Sequence, residues 1–371
     1  MKIAHFVAPD PVHGLEGSLT SASAMTGDLA RAGVATGLHV PRATPDGLLG
    51  RLLGPRGGEI LATASLVRDR EAAAFHCHGG LPGPALARLL ARAAGAPWIL
   101  SLGRGSARST PGARQSSTRP AALTPSYVLC QTKADQKTAE RRFPRSVVEY
   151  LPDPVEADSL PRGDGLAFRH VHGIPQQSPL VLIVGSMGPV PESSTILEVL
   201  AEVLALHPRA VIAFVGTDRG DSLKRVLGRR HDRQHRLRVL PPFSRSGPGL
   251  RDAVNSADLM VLTPHCADGD RAIVEAWCSL HPVIAPRWGE PGLLVRDGID
   301  GLLYHPRDPA ELLLAIGSIF RDPHGASSIT RAGFTRILDE FEATSVLRRL
   351  CQIYARCIED YESGPGRLRA W

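Results

Sequence analysis

Short apolar blocks alternate with longer amphipathic stretches in two successive runs, and this alternation constrains the fold more than any other feature of the chain. In the first run, strands are predicted at 3–8, 36–40, 73–78, 97–102, 127–131 and 147–151, with helices over 18–32, 84–94 and 133–142. In the second, strands fall at 180–184, 210–215, 236–240, 258–262 and 282–285. Helices are predicted there over 192–206, 221–229, 249–256, 271–279 and 290–296, followed by helical segments to about residue 361. Apolar strands separated by helices specify parallel sheets covered on both faces. A Pro- and Gly-containing stretch near 152–179 breaks the rhythm and reads as a connection. The chain has 371 residues, more than the roughly 250–300 at which a single core stops growing. The expected class is therefore α/β, with two doubly wound, Rossmann-like parallel-sheet domains and a cleft between them. Expected boundaries are 1–155, a linker at 156–179, a second domain at 180–341 and a C-terminal segment at 342–371.

Composition excludes several classes. Hydrophobic residues make up 43% and charged residues 22%, a globular mix that does not fit wholesale disorder. The apolar block Leu180 to Val184 is five residues long, far short of the roughly 20 a membrane-spanning helix needs. The first residues read as a strand, so no signal peptide is expected. Six scattered cysteines without a CxxC pair argue against structural zinc and a disulfide framework, and for a reducing, cytoplasmic compartment. The net charge is +6, and only four of the 43 basic residues are lysine. Residues 1–150 carry a net +8 and residues 151–371 a net −2, so the front domain is the one suited to an anionic partner. The basic run from Arg225 to Arg238 lacks interleaved aromatics, so stacking on single-stranded nucleic acid is not expected.

Ligands of doubly wound sheets bind at the carboxyl ends of the strands. After the first strand, Gly14 and Gly17 precede a predicted helix, whose amides suit a phosphate. Gly185-Ser186-Met187-Gly188 occupies the same place in the second run. The loop from Ala267 to Arg271 leads into a helix carrying Glu275; its amides, the Arg271 guanidinium and the Glu275 carboxylate suit phosphates and sugar hydroxyls. The alternative there is a helix cap at Asp270 and a solvated Glu275. Residues 103–120 contain Arg104, Arg108, Arg114 and Arg119 and no acid, which reads either as a binding loop for an anionic group or as a disordered surface loop. His76 and His78 share one strand face, with His78 at the carboxyl end. Sequential strand residues do not converge on one ion, so no metal is expected.

Several motifs stand in register with a known pattern. They are Ala257-Asp258, Glu275-Ala276-Trp277, Pro282-Val283-Ile284-Ala285 and Asp297-Gly298-Ile299-Asp300-Gly301. Phe214-Val215-Gly216, Tyr150-Leu151-Pro152-Asp153-Pro154 and Phe75-His76-Cys77-His78 extend the likeness towards the front. Together they resemble glycosyltransferase family 4, the retaining, metal-independent nucleotide-sugar enzymes of the GT-B fold. The resemblance implies two domains facing across a cleft, with the donor on the back domain, the acceptor on the front domain and a last helix crossing back. It implies Glu275 on the donor ribose, and Gly185, Ser186, Gly269, Asp270 and Arg271 around phosphate and sugar. Gly17 would approach the donor from the front, and His78, Arg104 and Asp268 are the candidate catalytic residues. No cofactor is expected.

The chain departs from that pattern at three places. The family's first acidic residue, eight before Glu275, is Ala267; Asp268 or Asp270 stands nearby. The Arg and Lys that neutralise the donor diphosphate are replaced by Ser186 and by Pro191 or Glu192. The usual His after the 97–102 strand is Gly103 or Arg104. The expected activity is sugar transfer from a nucleotide sugar to a glycan, lipid-linked or small-molecule acceptor, with the basic front domain at a membrane surface. The alternative is a catalytically degenerate homologue that acts as partner or scaffold in glycan assembly. A nucleotide-sugar epimerase is a third reading.

Overall fold

A computed structural model describes residues 2–7, 23, 25–39, 72–78, 95–105, 125–155, 163–188, 190–218, 236–242, 249–266 and 268–363. The chain divides into two compact units, Met1–Pro154 with Ala343–Trp371, and Val155–Glu342. The helices predicted over 84–94 and 221–229 lie outside the described residues, as do Gly14, Gly17 and most of 103–120.

The first unit is built on parallel strands β1 (Lys2–Val7), β2 (Ala35–His39), β3 (Ala74–His78), β4 (Trp98–Leu102), β5 (Tyr127–Cys130) and β6 (Val147–Tyr150). Their spatial order is β2, β1, β3, β4, β5, β6. Strand alternation sorts the apolar side chains into two layers. Phe75, Cys77, Trp98, Leu100, Val128 and Cys130 share one face with Ala139 of α1 (Lys133–Arg142). Ile3, Ala74, Ile99, Tyr127 and Leu129 face the other way, onto Leu350, Ile353 and Tyr354. Those last three belong to helix Ala343–Ser363, labelled α9 below. Its buried residues, Val346, Leu350, Ile353, Tyr354 and Cys357, recur at the helical period and form one apolar stripe. On its polar side, Arg356 and Arg349 pair with Glu149 at 2.6 and 3.6 Å. The expected C-terminal helix is therefore present and packed into the first sheet.

The second unit holds β7 (Leu180–Met187), β8 (Val211–Asp218), β9 (Leu237–Leu240), β10 (Leu259–Leu262), β11 (Val283–Pro286) and β12 (Leu302–Tyr304). All neighbours are parallel, in the order β12, β11, β10, β7, β8, β9. Its helices are α2 (Gly165–Val171), α3 (Pro191–Leu206), α4 (Gly249–Ser256), α5 (Gly269–Cys278), α6 (Gly289–Leu294), α7 (Pro309–Arg321) and α8 (Pro323–Arg336). A π turn, Ile337–Phe341, follows. Leu180–Val184 of β7 is buried throughout, as its uninterrupted apolar run demands. α7 starts where Asp308 accepts from the Ala310 and Glu311 amides with Pro309 in the first turn, a pre-organised helix start.

Three features differ from the sequence expectation. β12 has only three residues, too short for a periodicity signal, and is held by Tyr304, whose hydroxyl donates to Leu262 O at 2.8 Å. The described part of the expected linker is built into the second unit. Asp164 caps α2, Phe168 and Ile174 enter the core, and Arg169 donates to Ser256 O and Ser178 O at 2.8 Å each. Finally, Leu280 has a φ of 57°, a left-handed conformation that favours glycine. It closes α5 through Leu280 N–Trp277 O and His281 N–Ala276 O bonds of 3.1 and 2.9 Å, the Schellman arrangement.

The Asp297–Gly301 motif is architectural. Asp297 accepts from Leu303 N at 2.8 Å and from Arg287 at 3.0 Å. Asp300, fully buried, accepts from Arg296 N (2.7 Å), Arg296 Nε (2.6 Å) and Arg336 Nη1 (3.0 Å). Its backbone oxygen accepts from Trp277 Nε1 at 2.6 Å. The loop thereby pins α5 from behind.

Candidate functional site

In the second sheet the strand order reverses between β7 and β10, which makes the crevice beyond their carboxyl ends the expected ligand position. Gly185 and Gly216 sit side by side there, with φ of 139° and 152°. A Cβ on Gly185 would overlap the Thr263 hydroxyl, and one on Gly216 would overlap Gly185 O. Only glycine lets the two strand ends approach this closely. Thr263 ties the ends together: its amide donates to Val184 O and its Oγ1 accepts from Ser186 N, both at 3.0 Å. Thr217 donates to Ser186 Oγ at 2.9 Å. Ser186 is therefore held by its neighbours, with its hydroxyl at the strand ends.

Cys266 lies against both Gly185 and the first residue of α5, Gly269. Burial pushes its thiol up to about 12, so it is a packing group and not a nucleophile. Asp268 occupies the N-cap position of α5 and Asp270 its first turn, where it is buried. The cap thus falls two residues earlier than the Asp270 alternative placed it. Arg271 is partly exposed, and its Nε lies 4.0 Å from Glu275 Oε1. Glu275 is buried, not solvated. It is held in a two-point pair by Arg251 of α4, Nε to Oε2 at 3.1 Å and Nη2 to Oε1 at 3.3 Å. Sequence reasoning missed Arg251, since nothing in an amphipathic helix start marks the residue that will face a carboxylate 24 positions later.

Glu192, at the start of α3, is also buried and pairs with Arg307 at 2.7 Å. Its own backbone amide and the Arg307 guanidinium hold its carboxyl below the usual range. The place where a cation was expected thus carries a neutralised acid.

In the first unit, Arg104 donates to Asp153 Oδ2 at 3.0 Å, while Gln131 donates to Asp153 Oδ1 at 2.6 Å. Gly105 N donates to Asp135 at 2.9 Å. His78 is not a freely accessible side chain: it is 2% exposed and its Nε2 is 2.9 Å from His5 Nδ1. The structure brings Gly185, Ser186, Gly269, Asp268, Asp270, Arg271 and Glu275 into one unit, and Arg104 and His78 into the other.

Residues 178–322 match the protein family described as glycosyl transferases group 1. A D-inositol 3-phosphate glycosyltransferase 2 of Catenulispora acidiphila is 26% identical over 220 residues, covering 56% of this chain and 50% of the relative. A D-inositol 3-phosphate glycosyltransferase of Geodermatophilus obscurus is 26% identical over 58% of this chain and 49% of its own length. The chain thus spans about half the length of these relatives. A further Catenulispora acidiphila relative, D-inositol 3-phosphate glycosyltransferase 1, aligns over 89% of this chain and 82% of its own length at 26% identity. Among solved structures, HepE of Anabaena in complex with UDP superposes with a TM-score of 0.61 and 15% identity, covering 96% of this chain and all of that one. A glycosyltransferase from Rickettsia africae gives 0.66 and 15%, covering 97% and 99%. The fold is GT-B, two six-stranded parallel Rossmann-like sheets covered by helices.

Proposed function

From a glycosyl transferases group 1 segment at residues 178–322 on a GT-B fold, we propose that the chain is a retaining glycosyltransferase using a nucleotide-sugar donor. The observation that carries this reading is the β7/β10 crevice. A glycine-lined strand end (Gly185) and the start of a helix bearing a buried, oriented carboxylate (Glu275) sit against one thiol, Cys266. Amides at the α5 start and Arg271 suit the donor phosphates, and Glu275 suits vicinal ribose hydroxyls. HepE of Anabaena has been solved with UDP-glucose, which favours a uridine diphosphate sugar as the first donor to test.

The acceptor on this reading is anionic. The support is the +8 balance of residues 1–150 and the phosphate-bearing acceptor named in the relatives. Both a soluble sugar phosphate and a lipid-linked phosphate at the cytoplasmic membrane face fit. Among the described residues no helix is long and apolar enough to cross a membrane, so surface attachment would be electrostatic. Arg104 and Asp268 are proposed to contact the reacting sugars.

Titration with uridine, guanosine and adenosine diphosphate sugars tests the donor site. The expected result is a raised melting temperature with one of them; no shift at millimolar concentration with any would reject the enzyme reading. A second reading, a silent GT-B partner in glycan assembly, is favoured by one observation: Glu192 and Glu275 are both already occupied by arginines. That reading predicts a folded protein that binds no nucleotide sugar.

A further inference from the structure

Three histidines converge on the face of the first sheet covered by α9. His5 of β1 is in register with His76 of β3, and His78 lies two residues on, on the same face. Ring centroids are 5.3 Å apart for His5–His76, 5.2 Å for His5–His78 and 4.1 Å for His76–His78. One ring nitrogen from each lies within 4.8 Å of those of the other two, and His5 Nδ1 is 2.9 Å from His78 Nε2. Two hydroxyls orient His76: Tyr354 at 2.6 Å from Nδ1 and Ser101 at 2.7 Å from Nε2.

The chemistry of this cluster is specific. All three rings are buried, at 0%, 0% and 2% exposure, among Ile3, Ala74, Ile99, Leu350 and Ile353. Three imidazoles in an apolar layer are costly to bury unless their ring nitrogens are used. The donor set contains nitrogen and no carboxylate, which selects zinc, cobalt or nickel over magnesium or calcium. The cluster also straddles β1 and β3, between which the strand order of this sheet reverses.

We propose that His5, His76 and His78 form a transition-metal site of the zinc class that ties β1, β3 and α9 together. Ligation by His76 exchanges one of its hydroxyl partners for the ion, and the other fixes the ring, as second-shell donors do at such sites. This replaces the sequence expectation of no metal. Three consecutive strand residues cannot converge, but His5, 71 positions before His76, supplies the third direction across the sheet. The site is structural.

Cobalt chloride added to the chelator-stripped full chain tests it. The expected result is the visible absorption of cobalt held by three imidazoles, saturating at one equivalent and removed by zinc chloride. The His5→Gln, His78→Gln double variant should bind at least about tenfold more weakly, whereas His265→Gln, at an exposed histidine of the other unit, should bind as before. Equal binding by the double variant, or no cobalt spectrum from folded wild type, overturns the proposal. X-ray absorption at the zinc edge of the wild-type protein needs no variant. Three imidazole nitrogens are expected, and a shell containing sulfur, or oxygen alone, overturns it.

Discussion

Removing the Asp300 carboxylate should unfold the second unit's architecture around α5 before it affects anything else. The side chain is fully buried and answers three donors: Arg296 N, Arg296 Nε and Arg336 Nη1. Arg336 is itself 2% exposed and has few alternatives, namely Leu294 O at 2.6 Å and Glu340 at 3.1 Å. Breaking a buried ion pair by deleting one partner costs about 3–5 kcal/mol, since the other charge is left in a low-dielectric site. Because Glu340 and Leu294 O remain, Asp300→Ala should fall near the lower end, about 3–4 kcal/mol. Arg336→Met keeps the volume and leaves Asp300 paired with Arg296. It loses the guanidinium stacked 5.1 Å from the Trp277 ring, so about 2–3 kcal/mol is expected.

The double variant decides whether this is a pair. If the two groups acted independently, the costs would sum to about 5–7 kcal/mol. If each is costly because it strands the other, the double variant should cost little more than Asp300→Ala alone, a coupling of about 1.5–3 kcal/mol. Urea unfolding, followed by circular dichroism and by tryptophan fluorescence, gives all four corners of the cycle. A coupling below about 0.5 kcal/mol would refute the reasoning, because the carboxylate and the guanidinium would then not be answering each other.

Three further outcomes are expected. Glu275→Ala should weaken nucleotide-sugar binding by about 1–3 kcal/mol in calorimetric titration; unchanged affinity in a folded variant removes Glu275 from the donor site. Gly185→Ala should destabilise the second unit by about 2–4 kcal/mol in urea, since the added methyl collides with the Thr263 hydroxyl at a φ of 139°; an unchanged midpoint would mean that the strand ends are not in contact. Desolvation holds His281 below the ordinary histidine value of 6.5, so the unfolded chain binds the extra proton. Stability should therefore fall as pH drops below about 6.5, with His281 contributing at most about 1.4 kcal/mol per pH unit. His281→Asn should reduce the slope by that share, and an identical slope in the variant would exclude His281 as a source.

What was legible in the sequence follows from the range over which each signal acts. Leu180–Val184 declares a buried parallel strand because its own five side chains all need cover, and α9 declares its apolar stripe through residues three and four apart. These are local signals, so most strand bounds agreed to within a residue, whereas β7 and β8 run three residues further than expected. β12 escaped because three residues carry no period, and Tyr304 joins the core through a bond to Leu262 O. The motif Asp297–Gly301 was legible as a family pattern but not as a mechanism. Only the structure shows its two carboxylates spent on arginines and on backbone amides.

The position of the candidate residues in the fold was legible, and their charge pairing was not. Gly185, Glu275 and the 268–271 loop stand where the strand-order reversal of the second sheet requires. Their electrostatic partners come from far along the chain, Arg251 to Glu275 and Arg307 to Glu192. A helix start that receives a diphosphate cannot carry an uncompensated carboxylate, because the two would repel at short range. Glu192 at the start of α3 is compensated by Arg307, whose side chain remains 63% exposed. On the proposed donor reading, the positive charge expected immediately after β7 stands instead on an arginine before α7. In a chain with 39 arginines and four lysines, rigid planar guanidinium groups are what is available for such exchanges, and they can answer two oxygens at once. Arg307→Ala should therefore lower both stability and donor affinity, whereas the Glu192→Gln, Arg307→Gln double variant should recover stability alone. Recovery of donor affinity as well, measured with the same nucleotide-sugar titration, would show that Arg307 serves Glu192 and not the donor.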